Sequence, residues 1–489
     1  ELRDLFLHPT LSMLAPLLKP LLAPAAAPEV SFHDVPLGPV QAAFLQGYPG
    51  PKHHFHQALL LAPGAEVDPD ALDLALAAVF AHHDALRARF RRVEDRWVQA
   101  YGPADNPPVT EIVDLSRVGS APAAMRAHAT ATMAATDLAR GPLLSVVLYR
   151  LPAGERLLLA AHHLIVDGVS WRIIIEDLDA AYGQALAGNA LSLTPVSDSY
   201  AQWAAGMRTL STAISDDERN YWLAVEQATS GPLPLDAPRA TAYQRDRAER
   251  RLSLAQNLTT QLLSSAHDAY NTRMDDLLLA ALGRGLAAWS GVRQWRVLLE
   301  GHGREPLWDG GDVSRTVGWF TARYPVLLDL AATDNVGRQI KSVKEMLRAV
   351  PRKGGAYESA GGPPAAVARN APMPAIAFNY LGQLGRDLRA GRWAWMDEDA
   401  GSTMAPDAPL IHDLEIVGFV AEDRLHLAIL YGSNRFTDDT VSRLAAALER
   451  ALLDIIEHTM QKQDRELTPS DIDYDGFDID ALDRFLKNL

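Results

Sequence analysis

The chain has no cysteine. Disulfides, a thiolate nucleophile and thiolate-held zinc or iron–sulfur sites are therefore excluded. It also lacks any apolar run of the ~18–20 residues needed to span a bilayer. The longest run, at 157–166, is interrupted by two histidines. The first residues show no basic run followed by an apolar core and a cleavage site, so no export signal is predicted. Positive charge is in the minority: 46 lysines and arginines face 61 aspartates and glutamates, a formal charge of −15. Such a surface repels nucleic-acid phosphates. These absences leave a cytoplasmic enzyme or binding protein that uses neither nucleic acid nor membrane. Hydrophobic residues at 48% and charged residues at 22% exclude global disorder. A length of 489 residues exceeds one ordinary core and predicts two or more domains, or one two-lobed unit.

Strands and helices alternate along the chain, which predicts an α/β fold. Leu11, Leu14 and Leu18 fall at helical spacing, and 20–28 reads as a semi-rigid Ala/Pro linker. The main body begins near Val30. Residues 54–61 read as a strand. Asp68-Pro69 opens a helix whose inward stripe is Leu72, Leu76, Val79, His83, Leu86 and Phe90. Strands are predicted at 143–151 and 156–162, and a helix at 171–186. A polar stretch at 215–220 leads into a second α/β half. There the pattern predicts strands at 249–254, 294–299 and 376–378, and a hairpin at 414–420 and 424–431. Helices are predicted at 258–270, 274–289 and 440–458, and a mobile loop at 361–374.

The most specific local string is His162-His163-Leu-Ile-Val-Asp167-Gly168-Val-Ser170-Trp171. It follows an apolar strand and precedes a helix. Strand side chains alternate, so only one of the two histidines faces a given site. Asp167-Gly168 supplies a turn in which Gly168 can take a positive φ. A histidine at a strand end suits acid–base work near neutral pH. A metal site is not predicted, because the adjacent histidines diverge and no second ligand cluster lies nearby in sequence. In the second string, Glu300-Gly-His-Gly-Arg304-Glu305, Glu300 ends an apolar strand where burial raises a carboxyl pKa. A plain charged loop, with Arg304 bridging Glu300 or Glu305, is the alternative. Arg315 to Pro325 reads as an aromatic loop lining a channel or packing a core. Phe378-Asn379-Tyr380-Leu-Gly-Gln383 ends a strand in two hydrogen-bonding side chains.

Together these strings resemble the epimerization domain of nonribosomal peptide synthetases, a member of the condensation-domain superfamily, over 30–468. His162 to Trp171 matches the superfamily's HHxxxDG motif in its longer epimerization form. Pro36 to Gln41 and His83 to Phe90 resemble the superfamily's early motifs. The strings at 300–305, 315–325 and 378–383 are characteristic of epimerization domains. The glycine-rich string at Pro351 to Tyr357 matches only in part, which leaves the local loop and substrate gating open.

The resemblance implies two chloramphenicol acetyltransferase-like lobes in a V arrangement, with the active-site channel between them. The lobes are expected at 30–205 and 206–468. Residues 1–19 resemble the C-terminal remnant of a peptidyl carrier protein, tethered by the linker at 20–29. The implied reaction converts L to D at Cα of an aminoacyl or peptidyl thioester. The thioester arrives on the phosphopantetheine of that upstream carrier, with no cofactor or metal of the enzyme's own. Inversion needs proton removal from one face and return to the other. The resemblance gives these roles to His163 and Glu300, with Tyr380 as a donor to the enolate or a proton relay. His162, Asp167, Gly168, Ser170, Trp171, Arg304 and Asn379 are expected to support them, Asp167 as an anchor for an arginine. Backbone N–H groups near Gly168 are further candidate donors.

A monomer is expected. Residues 469–489 end in an amphipathic helix that either docks a downstream condensation domain or subunit, or packs back on the body. A condensation domain that forms peptide bonds is the alternative function. An inactive platform that recruits a tailoring enzyme to the carrier is another. The sequence leaves open the amino acid, aminoacyl or peptidyl status, the organism and product, and which of His163 and Glu300 removes the L-proton.

Overall fold

The computed structural model describes residues 35–237, 241–308, 311–358, 373–383, 391–472 and 478–486. The expected carrier remnant at 1–19, the linker at 20–29 and most of the loop at 361–374 lie outside them.

The first lobe contains α1 (Pro39–Gly47), β1 (His56–Pro63), α2 (Pro69–His82), β2 (Ala88–Val93), β3 (Arg96–Tyr101), β4 (Glu111–Asp114), α3 (Ala121–Ala134), β5 (Leu144–Leu151), β6 (Gly154–His162) and α4 (Gly168–Leu186). After α5 (Tyr200–Thr212) and α6 (Asp216–Gln227) come β7 (Arg247–Ser253), α7 (Gln256–Leu263), α8 (Met274–Ser290), β8 (Gln294–Gly301), β9 (Ala322–Asp329), α9 (Val336–Arg348), β10 (Ile376–Tyr380) and β11 (Trp393–Trp395). β12 (Leu414–Ala421), β13 (Arg424–Gly432), α10 (Asp438–Gln461) and α11 (Ile479–Leu486) close the described chain.

Two sheets organise the two lobes. The first runs β11-β1-β6-β5-β4 and the second β7-β13-β12-β10-β8-β9. β6 is central and covered on both faces, which explains its unbroken apolar run. Leu157, Leu159 and Ala161 pack with Leu72, Leu76, Ile174 and Leu178 of α2 and α4. Leu158 and Ala160 pack with Met125 and Met133 of α3. In the second lobe α8 and α10 share one core with the sheet, through Leu278, Leu282, Leu448 and Leu452. β10 lies parallel to both β8 and β12, so its end meets the end of β8.

The lobes exchange chain. β11, from the second half of the sequence, pairs antiparallel with β1, Trp395 opposite Leu61. Ion pairs from Arg156 to Glu398 (2.8 Å) and Arg126 to Asp399 (3.2 Å) hold the following residues on the first lobe.

Some elements differ from the sequence pattern. The expected stripe from Leu72 to Phe90 is not one helix. α2 stops at His82, where His83 turns extended (φ −105°, ψ 104°). Leu86 then sits in a 3-10 turn and Phe90 in β2, both fully buried. The turn returns the chain to the same core, so the apolar spacing outlives the helix. The helix expected at 258–270 ends at Leu263, where Ser264 turns its hydroxyl back to the Thr260 carbonyl (2.6 Å). α9 escaped the sequence reading because its buried face carries Gln339, Lys341 and Lys344. The loop expected at 315–325 gives way to β9, whose Pro325 is tolerated because β9 is an edge strand.

Among the described residues no helix is long and apolar enough to cross a membrane. α11 packs back on α9, the second of the two arrangements left open. Leu482 is buried, and Asp480 and Asp483 pair with Arg338 (2.8 Å) and Lys341 (2.8 Å). Beside it, the buried Lys344 ammonium binds Asp471 (2.6 Å) and the Tyr270 carbonyl (2.8 Å). Lys344→Met leaves the Asp471 carboxylate buried without its cation. The expected loss in urea denaturation is about 3–5 kcal/mol, largely restored in Lys344→Met/Asp471→Leu.

Candidate active site

β6 delivers the two histidines and the turn after it separates them. The His162 ring is fully buried; its Nε2 lies 2.7 Å from the Lys52 carbonyl, and its Nδ1 accepts the Leu164 N–H. Burial holds its pKa well below the usual histidine range. It is a satisfied core histidine. His163 opens a short 3-10 turn and points elsewhere. Its ring stacks on Trp319 (centroids 4.2 Å apart) and on Phe55 (5.6 Å). Nδ1 lies 2.9 Å from the Val166 carbonyl, and Nε2 lies 3.0 Å from the Gln57 amide nitrogen. Burial pushes its pKa down to about 4, so the ring is neutral at physiological pH.

Glu300 lies at the end of β8 with its carboxylate in a channel of about 860 Å³ between the lobes. Asn379 Nδ2 donates to Oε2 at 2.6 Å. Glu300 is exposed to the channel, yet the surrounding protein pushes its pKa up to about 7, mainly by desolvation and against the opposing pull of Arg323. Arg323 faces Glu300 across the β8–β9 ladder and pairs with Glu358 at 2.7 Å. Tyr380 ends β10 and lines the same channel; burial pushes its pKa up to about 12, so its hydroxyl is a donor.

Asp167 is saturated with donors and acts as an anchor for Arg304. Its carboxylate accepts from Ser170 N (2.7 Å), Phe320 N (3.1 Å) and Arg304 Nη2 (3.0 Å), with Ser170 Oγ 2.7 Å away. Arg304 also donates to the Val313 and Thr316 carbonyls, and lies 3.9 Å over the Phe320 ring. It bridges the lobes and leaves Glu300 alone; Lys353 takes Glu305. Ser170 Oγ accepts from Gly318 N–H (3.0 Å). Gly303 has φ +67°, and a side chain there would collide with the Phe320 carbonyl. Gly168 does not take the positive φ allowed for it. It is the first residue of α4, capped by Asp167, and lines the channel.

The channel therefore gathers Glu300, Asn379, Tyr380, Asp167, Gly168 and Trp171 on its walls. His163 stands behind Gln57, which lines the wall. Gln57, Trp319, Arg323 and Glu358 were missed as site residues. Trp319 and Arg323 lay inside a string already singled out, whereas Gln57 and Glu358 carry no local signal. Among the described residues, His82, His83 and Asp177 have metal-ligand spacing. They lie outside the channel wall, and Asp177 already accepts from both His83 (2.8 Å) and Arg315 (2.7 Å). A resident guanidinium suits a structural clasp better than a cation site.

Residues 32–475 match the Condensation domain family. One of the linear gramicidin synthase proteins of Brevibacillus parabrevis is 36% identical over 93% of this chain and 9% of that protein. Tyrocidine synthase 1 of the same organism is 33% identical over 100% of this chain and 46% of that protein. The chain thus spans less than half the length of these curated relatives. Among solved structures, the epimerization domain from the third module of tyrocidine synthetase B has a TM-score of 0.81 at 32% identity. The match covers 89% of this chain and 98% of that one. The first condensation domain of the CDA synthetase shares the fold, with a TM-score of 0.64 at 20% identity over 89% of this chain and 98% of that one.

Arg304→Ala strips the buried Asp167 carboxylate of its cation. The expected destabilisation is about 3–5 kcal/mol in guanidinium denaturation. Arg304→Lys, which keeps the charge without the planar fork, is expected to fall between.

Proposed function

The chain belongs to the condensation-domain family, and on that premise we propose that it inverts Cα of an aminoacyl or peptidyl thioester, L to D. The substrate is carried on the phosphopantetheine arm of an upstream peptidyl carrier protein. The observation that carries this reading is the Glu300 carboxyl, held in the channel by Asn379 with its pKa pushed up to about 7. A group so poised suits proton transfer at neutral pH. The likeness to the tyrocidine synthetase epimerization domain supports the same reading.

The chemistry follows from opposed pKa shifts. The thioester carbonyl acidifies the Cα proton. Neutral His163 accepts that proton at Nε2 once the Gln57 amide that covers Nε2 at the channel wall swings aside, and protonated Glu300 returns one to the opposite face. The pair then holds an imidazolium and a carboxylate, the starting state for the reverse direction. The Asn379 amide stabilises that carboxylate, and the Tyr380 hydroxyl donates to the enolate oxygen. Both directions therefore use a pair that carries one proton.

The pH dependence has a definite sign. Below about 4 both groups are protonated and no base remains. Above about 7 both are deprotonated and no acid remains. A bell-shaped rate profile with limbs near these values is expected in both directions, the limbs belonging to the pair as a whole. Solvent deuterium should enter Cα of a carrier-bound substrate. Glu300→Gln and His163→Ala are each expected to slow that exchange by about 10²–10⁴-fold. Normal exchange in Glu300→Gln would remove Glu300 from the reaction. A dipeptide formed from two loaded carriers, without exchange, would assign the chain to peptide-bond formation instead.

A further inference from the structure

Behind the channel wall, a chain of three hydrogen bonds runs from Trp171 through Gln57 and His163 to the Val166 carbonyl. The Trp171 indole N–H can only donate, and it donates to Gln57 Oε1 at 2.8 Å. That contact settles the orientation of the amide: its NH₂ points at His163 Nε2, 3.0 Å away. Nε2 must then be the acceptor. On the other side of the ring, Nδ1 carries the proton and gives it to the Val166 carbonyl at 2.9 Å. The tautomer thus follows from one donor-only side chain and one acceptor-only carbonyl.

We propose that Gln57, oriented by Trp171, is a positioning residue that keeps Nε2 of His163 unprotonated between turnovers. A proton arriving at Nε2 would face the amide NH₂. The amide would have to rotate, and rotation breaks its bond to the indole. The imidazolium is therefore penalised and its proton readily returned, so the pair's single proton rests on Glu300. This deepens the assignment of His163 as base and rests on it. Other groups act on the ring as well. Asp167, at the start of α4, favours the charged form, and Arg323 on β9 opposes it. His56 on β1 and His162 on β6 are both held neutral by burial. Phe55 and Trp319 pack against the ring and offer no charge.

The test uses the full chain labelled with ¹⁵N-histidine. The His163 resonances are identified by their loss in His163→Gln, and tautomer and pKa are read by NMR titration. The unsubstituted protein is expected to show the Nδ1–H tautomer. Gln57→Glu places a carboxylate at Nε2 and is expected to raise the His163 pKa by about 1–3 pH units. Trp171→Phe frees the amide to rotate and is expected to raise it by about one, a tenfold change in the protonation constant. Gln57 lies on the channel wall, so Gln57→Glu remains informative if loss of the buried indole impairs folding. An unchanged His163 pKa in folded Gln57→Glu, or an Nε2–H tautomer in the parent, would overturn the proposal. Deuterium exchange at Cα, measured on the same proteins, reads the other question. Shifted titration with no exchange in any form would sink the epimerase reading and leave the positioning role of Gln57 standing.

Discussion

The buried ion pair between Asp167 and Arg304 is the constraint on which the site depends. Asp167 lies four residues after His163, and Arg304 four residues after Glu300. Joining the two ties together the segments that carry the proposed acid and base, although each comes from a different lobe. A carboxylate and a guanidinium this deeply buried are stable only with nearly all their partners in place. The backbone N–H groups of Ser170 and Phe320 and the carbonyls of Val313 and Thr316 meet that demand. The loop between β8 and β9 consequently has little freedom. Gly303 lets this loop fold onto its own Phe320 carbonyl, and Gly318 lets it pass close to the Tyr200 ring of α5, since a side chain at either would collide. The strand β11, added to the first lobe's sheet from the second half of the chain, is an independent second tie.

Within that frame, burial moves two titratable groups in opposite directions. A histidine loses basicity and a glutamate loses acidity because the protein around each, one half-buried and the other lining the channel, disfavours the charged form. The two values come to bracket a range that includes weakly acidic and neutral pH. Arg323 modulates this. It pulls the pKa of both groups down, and its own charge is partly answered by Glu358. The Glu300 carboxyl thus sits in a balance between the Arg323 guanidinium and the carboxyl groups of Glu358 and Glu415.

Much of the fold was legible because apolar periodicity survives where both faces of an element are covered. β6, α4, the β12–β13 hairpin and α10 follow their sequence pattern closely. The failures share a physical cause. The stripe from Leu72 to Phe90 continued through a turn because the core, not the helix, sets the spacing. α9 was hidden because Lys341 and Lys344 are buried with acidic partners contributed by residues more than a hundred positions away. Long-range ion pairs leave no local trace. Gln57 was invisible for the same reason: a glutamine in a strand is ordinary until the Trp171 indole and the His163 ring are placed on either side of it.

The sequence by itself determined many of the elements and the family resemblance, and through the resemblance the candidate acid and base, because each rests on residues close together in the chain. It also settled that His162 and His163 cannot serve the same site, since neighbouring side chains at a strand end diverge. Only the tertiary structure decided which of the two histidines is core, what Asp167 pairs with, and which nitrogen of His163 bears the proton. Those answers depend on groups from β1, α4 and the β8–β9 loop meeting in space. Hydrogen-bond polarity and loss of water, which set tautomer and pKa, exist only once that meeting has occurred.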